Sequence, residues 1–298
     1  MSTSVSNAFI TQYEAEVKHL YQRQGSVLRK TVRVKDGVVG SSTTFQKIGK
    51  GVATVKARAG VITPMNQDHT AIPCTLADFY AGDWVDKLDE AKTNIDERMA
   101  IAQGGAWALG RKTDDQIITA LGTTTQTAAN WTVTSQAAIR NSAITFVTSL
   151  LANDVPNDGN IFALVTAKAW GFLMTVDEFK RADYVTDMNL PYVNGAPVMT
   201  FKRWMNANWC VHTGLAGAGT ATATLLAYHK SSTGYATGAF AGNVAATDGG
   251  SAVAADITWH GDRASYFVNH MMSGGACLID DTGVIKGTVD DTAALPTS

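Results

Sequence analysis

The sequence predicts an α+β fold. Two stretches carry helical periodicity, Asp83 to Leu121 and Ser135 to Leu150, and they stand among short apolar segments with strand character. No proline- or serine-rich linker separates the helical material from the strand material, so the two belong to one intertwined architecture.

In chain order, Ser6 and Asn7 are N-cap residues for a short amphipathic helix with Phe9, Tyr13, Val17, Leu20 and Tyr21 on one face, which Gly25 ends. Such a helix is too short to be stable alone and has to dock on something. Arg23, Arg29, Lys30, Arg33 and Lys35 make this first part locally basic. From Thr31 the pattern becomes strand, with Asp36-Gly37 before Val38-Val39 as a hairpin signal. Lys50 to Arg58 reads as a second extended run, Ala53, Val55 and Ala57 facing one way and Thr54, Lys56 and Arg58 the other. Gly40, Gly49, Gly51 and Gly60 punctuate an excursion with little apolar material, and an isolated two-stranded ribbon is marginal in water. It is either an edge hairpin of the domain sheet or an arm that reaches another subunit.

Pro64 and Pro73 bracket an irregular return, and Thr75 to Asp78 resembles a capping box opening the helical region. In Asp83 to Leu121, Leu88, Ile95, Met99, Ala102, Ala106, Leu109, Ile117 and Leu121 form one apolar stripe. A single helix of that length would run on the order of 50 to 60 Å, against a radius of gyration of about 19 Å for a compact globule of this chain length. The stripe fits either a beam in a flat or elongated subunit or a core helix broken at Gly104-Gly105. Flanking core-poor segments favour the beam, with the two glycines tolerating a bend or close packing.

Past a threonine-rich loop, Ser135 opens a helix with the stripe Ile139, Ala143, Phe146, Val147 and Leu150. Asp154 to Gly159 is a turn cluster, Ile161 to Val165 a buried strand and Ala167 to Met174 a short helix. Phe179 to Asn194 reads as irregular and Pro197 to Trp204 as mixed apolar and basic. Trp209 to Thr213 and Leu225 to Tyr228 read as strands, and Phe240 to Ala255 as loop by composition. Ile257 to His270, Ala276 to Asp280 and Val284 to Val289 are further strands, with Asp281 to Gly283 as a turn.

The 298 residues are 45% hydrophobic and 17% charged, a folded composition, and a net charge of −2 with a pI near 6.3 excludes a globally basic nucleic-acid binder. Cys74, Cys210 and Cys277 lie far apart and form no C-x-x-C pair, so neither a disulfide framework nor a thiolate zinc site is indicated, and a reducing cytosol suits them. The beginning of the chain lacks a signal-peptide pattern, and no window supplies the 18 or so apolar residues of a membrane span.

Signatures of chemistry are weak. There is no P-loop, no G-x-S-x-G elbow and no H-E-x-x-H, and Gly214, Gly217 and Gly219 lack the dinucleotide-binding order. Cys210 and His212, with His229 or His260, could in principle hold a metal, but a C-x-H pair in a strand is far more often a packed pair. The doublets Asp114-Asp115, Asp280-Asp281 and Asp290-Asp291 could supply paired carboxylates, yet they fall at a helix and at turns where solvated or capping aspartates are normal. No cofactor is indicated.

The order of parts resembles the major capsid proteins of tailed double-stranded DNA bacteriophages (the Hong Kong phage-type capsid fold). It is carried by the short arm, the basic glycine-rich β-excursion, a long helix containing Asn94-Ile-Asp-Glu97 and closing on Asp114-Asp-Gln-Ile-Ile118, and the cluster Asp154 to Gly159. Arg181 to Val185, Ala227 to Gly234 and Gly275 to Val284 are similar to one podovirus-like branch. The resemblance implies an N-arm at 1–30, an E-loop at 31–74, a peripheral domain with a spine helix at 75–131, an axial domain at 132–239, and return strands of the peripheral domain at 240–298. It further implies a structural, non-enzymatic protein that self-assembles as hexamers and pentamers into an icosahedral shell around double-stranded DNA, in the virion after assembly in the host cytoplasm.

The implied partners are other copies of the chain, a separate scaffolding protein (the short arm leaves no room for a fused one), a portal protein at one vertex, a decoration protein, and packaged DNA through non-specific contacts, with no membrane. Phe9, Tyr13, Val17, Tyr21, Lys47, Lys50, Lys56 and Arg58 are the candidate intersubunit contacts, Lys47 and Lys50 also being candidate cross-link donors. Two alternatives remain at this point: the shell of a cellular nanocompartment with the same fold, and a soluble cytosolic enzyme using Cys210, His212 or the acidic doublets.

Overall fold

The computed structural model describes residues 23, 25–88, 97–180, 201–239, 246–248 and 251–296. The elements begin with β1 (Arg33–Val38), β2 (Ser42–Ile48), β3 (His69–Thr75), β4 (Ala77–Asp86) and α1 (Glu97–Gly122). Next come α2 (Gln136–Leu151), β5 (Ile161–Val165), α3 (Ala167–Leu173), α4 (Asp177–Lys180), β6 (Lys202–Trp204), β7 (Ala207–Val211) and β8 (Ala223–His229). The chain closes with β9 (Thr233–Gly238), β10 (Ala246–Asp248), β11 (Ser251–His260), β12 (Ser265–Leu278) and β13 (Val284–Val289). These elements are distributed over two compact units. One comprises Met1–Ser26, Asp78–Arg111 and Phe240–Met272, the other Val27–Ala77, Lys112–Ala239 and Ser273–Ser298.

The second unit is built on a five-stranded sheet in the order β13-β8-β5-β7-β6, with β5 parallel to β7 and antiparallel to β8. Central strand β5, Ile-Phe-Ala-Leu-Val, is covered on both faces, which is why it reads as a continuous apolar run rather than an alternating one. On one face Ala163, Val165, Trp209, Leu225 and Ala227 pack against Ile139, Phe146 and Leu150 of α2 and Phe172 of α3. On the other, Leu164, Cys210, Leu226 and Tyr228 meet Ile117, Ile118 and Leu121 of α1 together with Leu28 and Val32. Helix α2 starts where the sequence places it: Ser135 Oγ accepts the Ala138 N–H at 3.2 Å, and the five stripe residues are the buried ones. The same unit holds β1 running parallel to β9, the end of β12 antiparallel to β9, and the antiparallel ribbon β2–β3.

In the first unit β11 pairs with the Ser265–Met271 part of β12, β10 pairs with β11, and β4 pairs with β12. Leu109 of α1 and Met272 form its small apolar cluster with Phe79 and Ala81. A Cβ on Gly105 would come within 2.5 Å of the buried His270 ring, so close packing is the reason for glycine there, and the helix passes Gly104-Gly105 unbroken.

Several expectations are corrected. The segment from Thr75 to Asp86 expected to open the helical region is strand instead; α1 is described over 26 residues, about 39 Å at 1.5 Å per residue, and residues 89–96 of the expected long helix lie outside the described residues. Pairing of β4 with β12 prevails over the local capping pattern, and the aromatic residues Phe79, Tyr80 and Trp84 suit a sheet. The stripe is accordingly covered only toward its end: Leu88 and Met99 are 67% and 71% exposed. Asp36-Gly37 is no hairpin turn. Gly37, at φ +70°, sits at a register shift within β1, where a left-handed residue is needed. The strands that pair in the ribbon are β2 and β3, with Pro73 inside the ladder opposite Thr44, whereas 51–56 takes no regular structure because this chain provides no strand beside it among the described residues. Part of the expected loop Phe240 to Ala255 is strand instead, Ala246–Asp248 pairing with the start of β11. The N-terminal helix with Phe9, Tyr13, Val17 and Tyr21, and the motif from Asn94 to Asp96, lie outside the described residues.

Candidate functional site

The ribbon β2–β3 and the chain between its strands are the least self-sufficient part of the second unit. In β2 only Phe45 is buried and in β3 only Cys74. Those two enter a small cluster with Val38, Ala236 and Ile279, and the Phe45 ring lies directly on Gly234. Beyond that root the apolar residues face outward: Val55 and Val61 are 101% and 93% exposed, and Val52, Ile62 and Met65 are exposed too. Lys56 and Arg58 accompany them and are also exposed, while no acidic residue occurs from 51 to 67, so the tip is an apolar surface with a positive rim. A turn closed by the Gly60 N–H donating to the Ala57 carbonyl at 3.0 Å shapes it.

At the root lies a groove of about 700 Å³ lined by Lys47 to Lys50, Asn153 to Pro156, His229, Ser231, Ser232, Asp280, Thr282 and Gly283. Two ion pairs cross it, Lys47 to Asp280 at 2.8 Å and Lys50 to Asp154. Burial by itself raises the Asp280 pKa, but hydrogen bonds from Lys47 and Thr282 outweigh it and hold the carboxyl below the usual range. His229 Nε2 meets Asp158 at 3.1 Å and its Nδ1 meets the Ser231 hydroxyl at 2.7 Å. Asp158 is kept well below its ordinary value by the Asn160 side chain and backbone first, with His229 adding to the effect. The groove thus joins the ribbon to the turns Asn153–Pro156 and Asp280–Gly283 by charge rather than by apolar packing.

Of the expected contact residues, Lys56 and Arg58 lie on the exposed tip, whereas Lys47 and Lys50 are committed to carboxylates of the same chain. The metal constellation does not form: among the described residues no group of three or more His, Cys, Asp or Glu side chains is placed to hold an ion. Cys210, His212 and His229 take separate partners. His212 lies 3.4 Å from Asp114, and both are fully buried. Asp114 is therefore not the solvated helix aspartate its position suggested. It accepts the backbone N–H groups of Val27 and Leu28 at 3.2 and 3.0 Å, tying the incoming chain to α1. Asp281 accepts from Thr124, Thr125 and Gln126, and Asp291 from the Thr166 hydroxyl and the Gly219 N–H, so these doublets fasten loops. No helix of the described residues is long and apolar enough to cross a membrane.

The first unit carries a further surface that sequence reasoning missed. Tyr80 and Trp84 of β4 are exposed; Trp84 stacks near Phe267 at 4.6 Å, meets the His260 ring edge-on at 5.0 Å and lies under the Arg263 guanidinium at 4.5 Å. The signal was present as aromatic residues at a spacing of four inside a segment taken for a helix start.

Comparison with known proteins places these features. The family model described as phage capsid protein matches residues 5–291. Among solved structures, one from Mycobacterium phage Che8 is 15% identical with a TM-score of 0.69, covering 97% of this chain and 99% of that one. The capsid of Ralstonia phage GP4 is 10% identical with a TM-score of 0.67 over 99% of both chains, and the capsid of a native GTA particle 13% identical with a TM-score of 0.68 over 97% of both. No curated protein sequence matches. At such identities the structural likenesses establish the fold, while the family match spans nearly the whole chain: this protein belongs to the phage capsid protein family and is a structural protein of a viral shell.

Proposed function

We propose that the chain assembles as hexamers and pentamers into an icosahedral shell enclosing double-stranded DNA, and that the ribbon 42–75 with its tip is the arm by which one copy covers another. In this reading the N-terminal segment is a second arm, α1 is the spine of a peripheral domain, and the α2-to-β9 region is the axial domain. A separate scaffolding protein guides assembly in the host cytoplasm, and portal and decoration proteins bind the finished lattice. One observation supports the arm above all. Five apolar residues, Val52, Val55, Val61, Ile62 and Met65, stand exposed on a segment that takes no strand partner among the described residues, and a contiguous apolar surface of this kind marks a protein contact.

The test is the double substitution Val55→Asp and Ile62→Asp. Both side chains are exposed in the single chain, so circular dichroism and the melting temperature of the unassembled protein stay as in the wild type. With scaffold supplied, electron micrographs should show shells and capsomers replaced by small species. Shells at wild-type yield would rule out the tip as the arm's contact surface.

A further inference from the structure

Two of the three cysteines, remote in sequence, meet at the root of the ribbon. Cys74, in the return strand β3, is 1% exposed, and its thiol donates to the Gly275 carbonyl at 3.3 Å. The Thr75 backbone carbonyl packs directly on Gly275, so β3 presses here against the end of β12, which carries Cys277. Cys74 belongs to the cluster with Val38, Phe45, Ala236 and Ile279, and Cys277 packs against that same cluster, so the two thiols are neighbours. Cys277 is half-buried, while Cys74 is buried. The neighbouring Cys277 thiol draws Cys74 below its ordinary pKa against the effect of burial, while Cys74 and burial together push the Cys277 thiol up. Cys210 offers the contrast: burial first, and the charge of Asp114 second, push its thiol up to about 12.

We propose that Cys74 and Cys277 form a disulfide that fastens the ribbon's return strand covalently to β12 when the protein meets a small-molecule disulfide as oxidant. Cys277, the more exposed of the two, gives up its proton as its sulfur attacks one sulfur of oxidised glutathione, whose S–S bond breaks and whose departing glutathione sulfur takes up that proton. Cys74 then attacks the Cys277 sulfur, and the second glutathione leaves. The two protein thiols are oxidised, one glutathione disulfide is reduced to two thiols, and the two protons pass from the cysteines to the glutathiones. The bond stays open where glutathione is kept reduced and closes where it is oxidised. It reinforces a segment whose apolar anchorage among the described residues is this one cluster. The inference concerns one chain and does not depend on the arm reading above.

The experiment uses the full-length protein incubated with oxidised glutathione, then alkylated, digested without reduction and mapped by mass spectrometry. The expected product is a linked peptide pair containing Cys74 and Cys277, with one titratable thiol left after denaturation, that of Cys210. The melting temperature should rise by about 5 °C and return on adding dithiothreitol. Cys74→Ser should stop at a glutathione adduct on Cys277. Should that variant fail to fold, Cys277→Ser supplies the complement, leaving buried Cys74 unmodified. A glutathione adduct on wild-type Cys277 without the link, a link between two copies, or three free thiols after oxidation would each overturn the proposal.

Discussion

The five-stranded sheet and the β2–β3 ribbon lie in the same unit and are made of the same kind of element, yet they differ in what holds them. In the sheet, alternate residues of β5, β7 and β8 enter two separate cores, so Ala163, Trp209 and Ala227 face one set of helices while Leu164, Cys210 and Leu226 face α1. Both faces of the central strands β5 and β8 are covered within the chain, and each buried apolar side chain contributes about 1.5 to 3 kcal/mol. In the ribbon only Phe45 and Cys74 are buried, and beyond them stability rests on the ladder and two lysine–carboxylate pairs. A two-stranded ladder with one face exposed, that of Ser42, Thr44, Gln46, His69, Ala71 and Pro73, is marginal in isolation. The sheet is covered within the chain, whereas the ribbon leaves most of its surface exposed beyond Phe45 and Cys74.

Substitutions can break or sharpen that contrast. Trp209→Ala empties the centre of the aromatic cluster with Trp131, Phe179 and Trp204 and should cost about 3 to 5 kcal/mol, abolishing soluble expression or lowering the denaturation midpoint steeply. A mild effect would mean that the sheet is not the self-sufficient region. Asp114→Ala strands the Val27 and Leu28 N–H groups and the His212 ring beside α1; a loss of about 3 kcal/mol in urea unfolding is expected, with the circular dichroism of the native state preserved.

The smallest effect belongs to the ribbon. Lys47→Ala should change global stability by less than about 1 kcal/mol, since the pair is partly exposed. It should nevertheless speed hydrogen exchange in β2 and β3 while leaving β5 and β8 unchanged. The pH dependence follows from Asp280. Its folded pKa is depressed, so its contribution is complete above the unfolded value of about 4 and is lost as pH falls through the folded pKa. Exchange in the wild-type ribbon should therefore accelerate in acid, and Lys47→Ala should flatten that response.

Legibility follows the same division. Helix α2 was readable to its cap and its five stripe residues because propensity, capping and burial agree there. Central strand β5 was readable because coverage on both faces writes itself as an uninterrupted apolar run. The Thr75 to Asp86 segment was not, because a local capping pattern yielded to pairing with β12, a strand nearly two hundred residues away. Likewise the ribbon's existence was legible from glycine punctuation and scarce apolar content, but its pairing strands were misplaced, because register depends on which residues find a partner.

The sequence by itself determined the mixed fold class, the sheet's core, the resemblance to the capsid family and the presence of a core-poor basic excursion. Each is written in local composition, in periodicity or in the order of parts along the chain. Only the tertiary structure decided that Asp114 is a buried anchor, that Lys47 and Lys50 are bound at the root rather than free at the tip, and that Cys74 lies against Cys277. Those are pairings between residues far apart in the chain. No local pattern encodes them, because the free energy that selects them comes from burial and from charges brought together only when the sheet has formed.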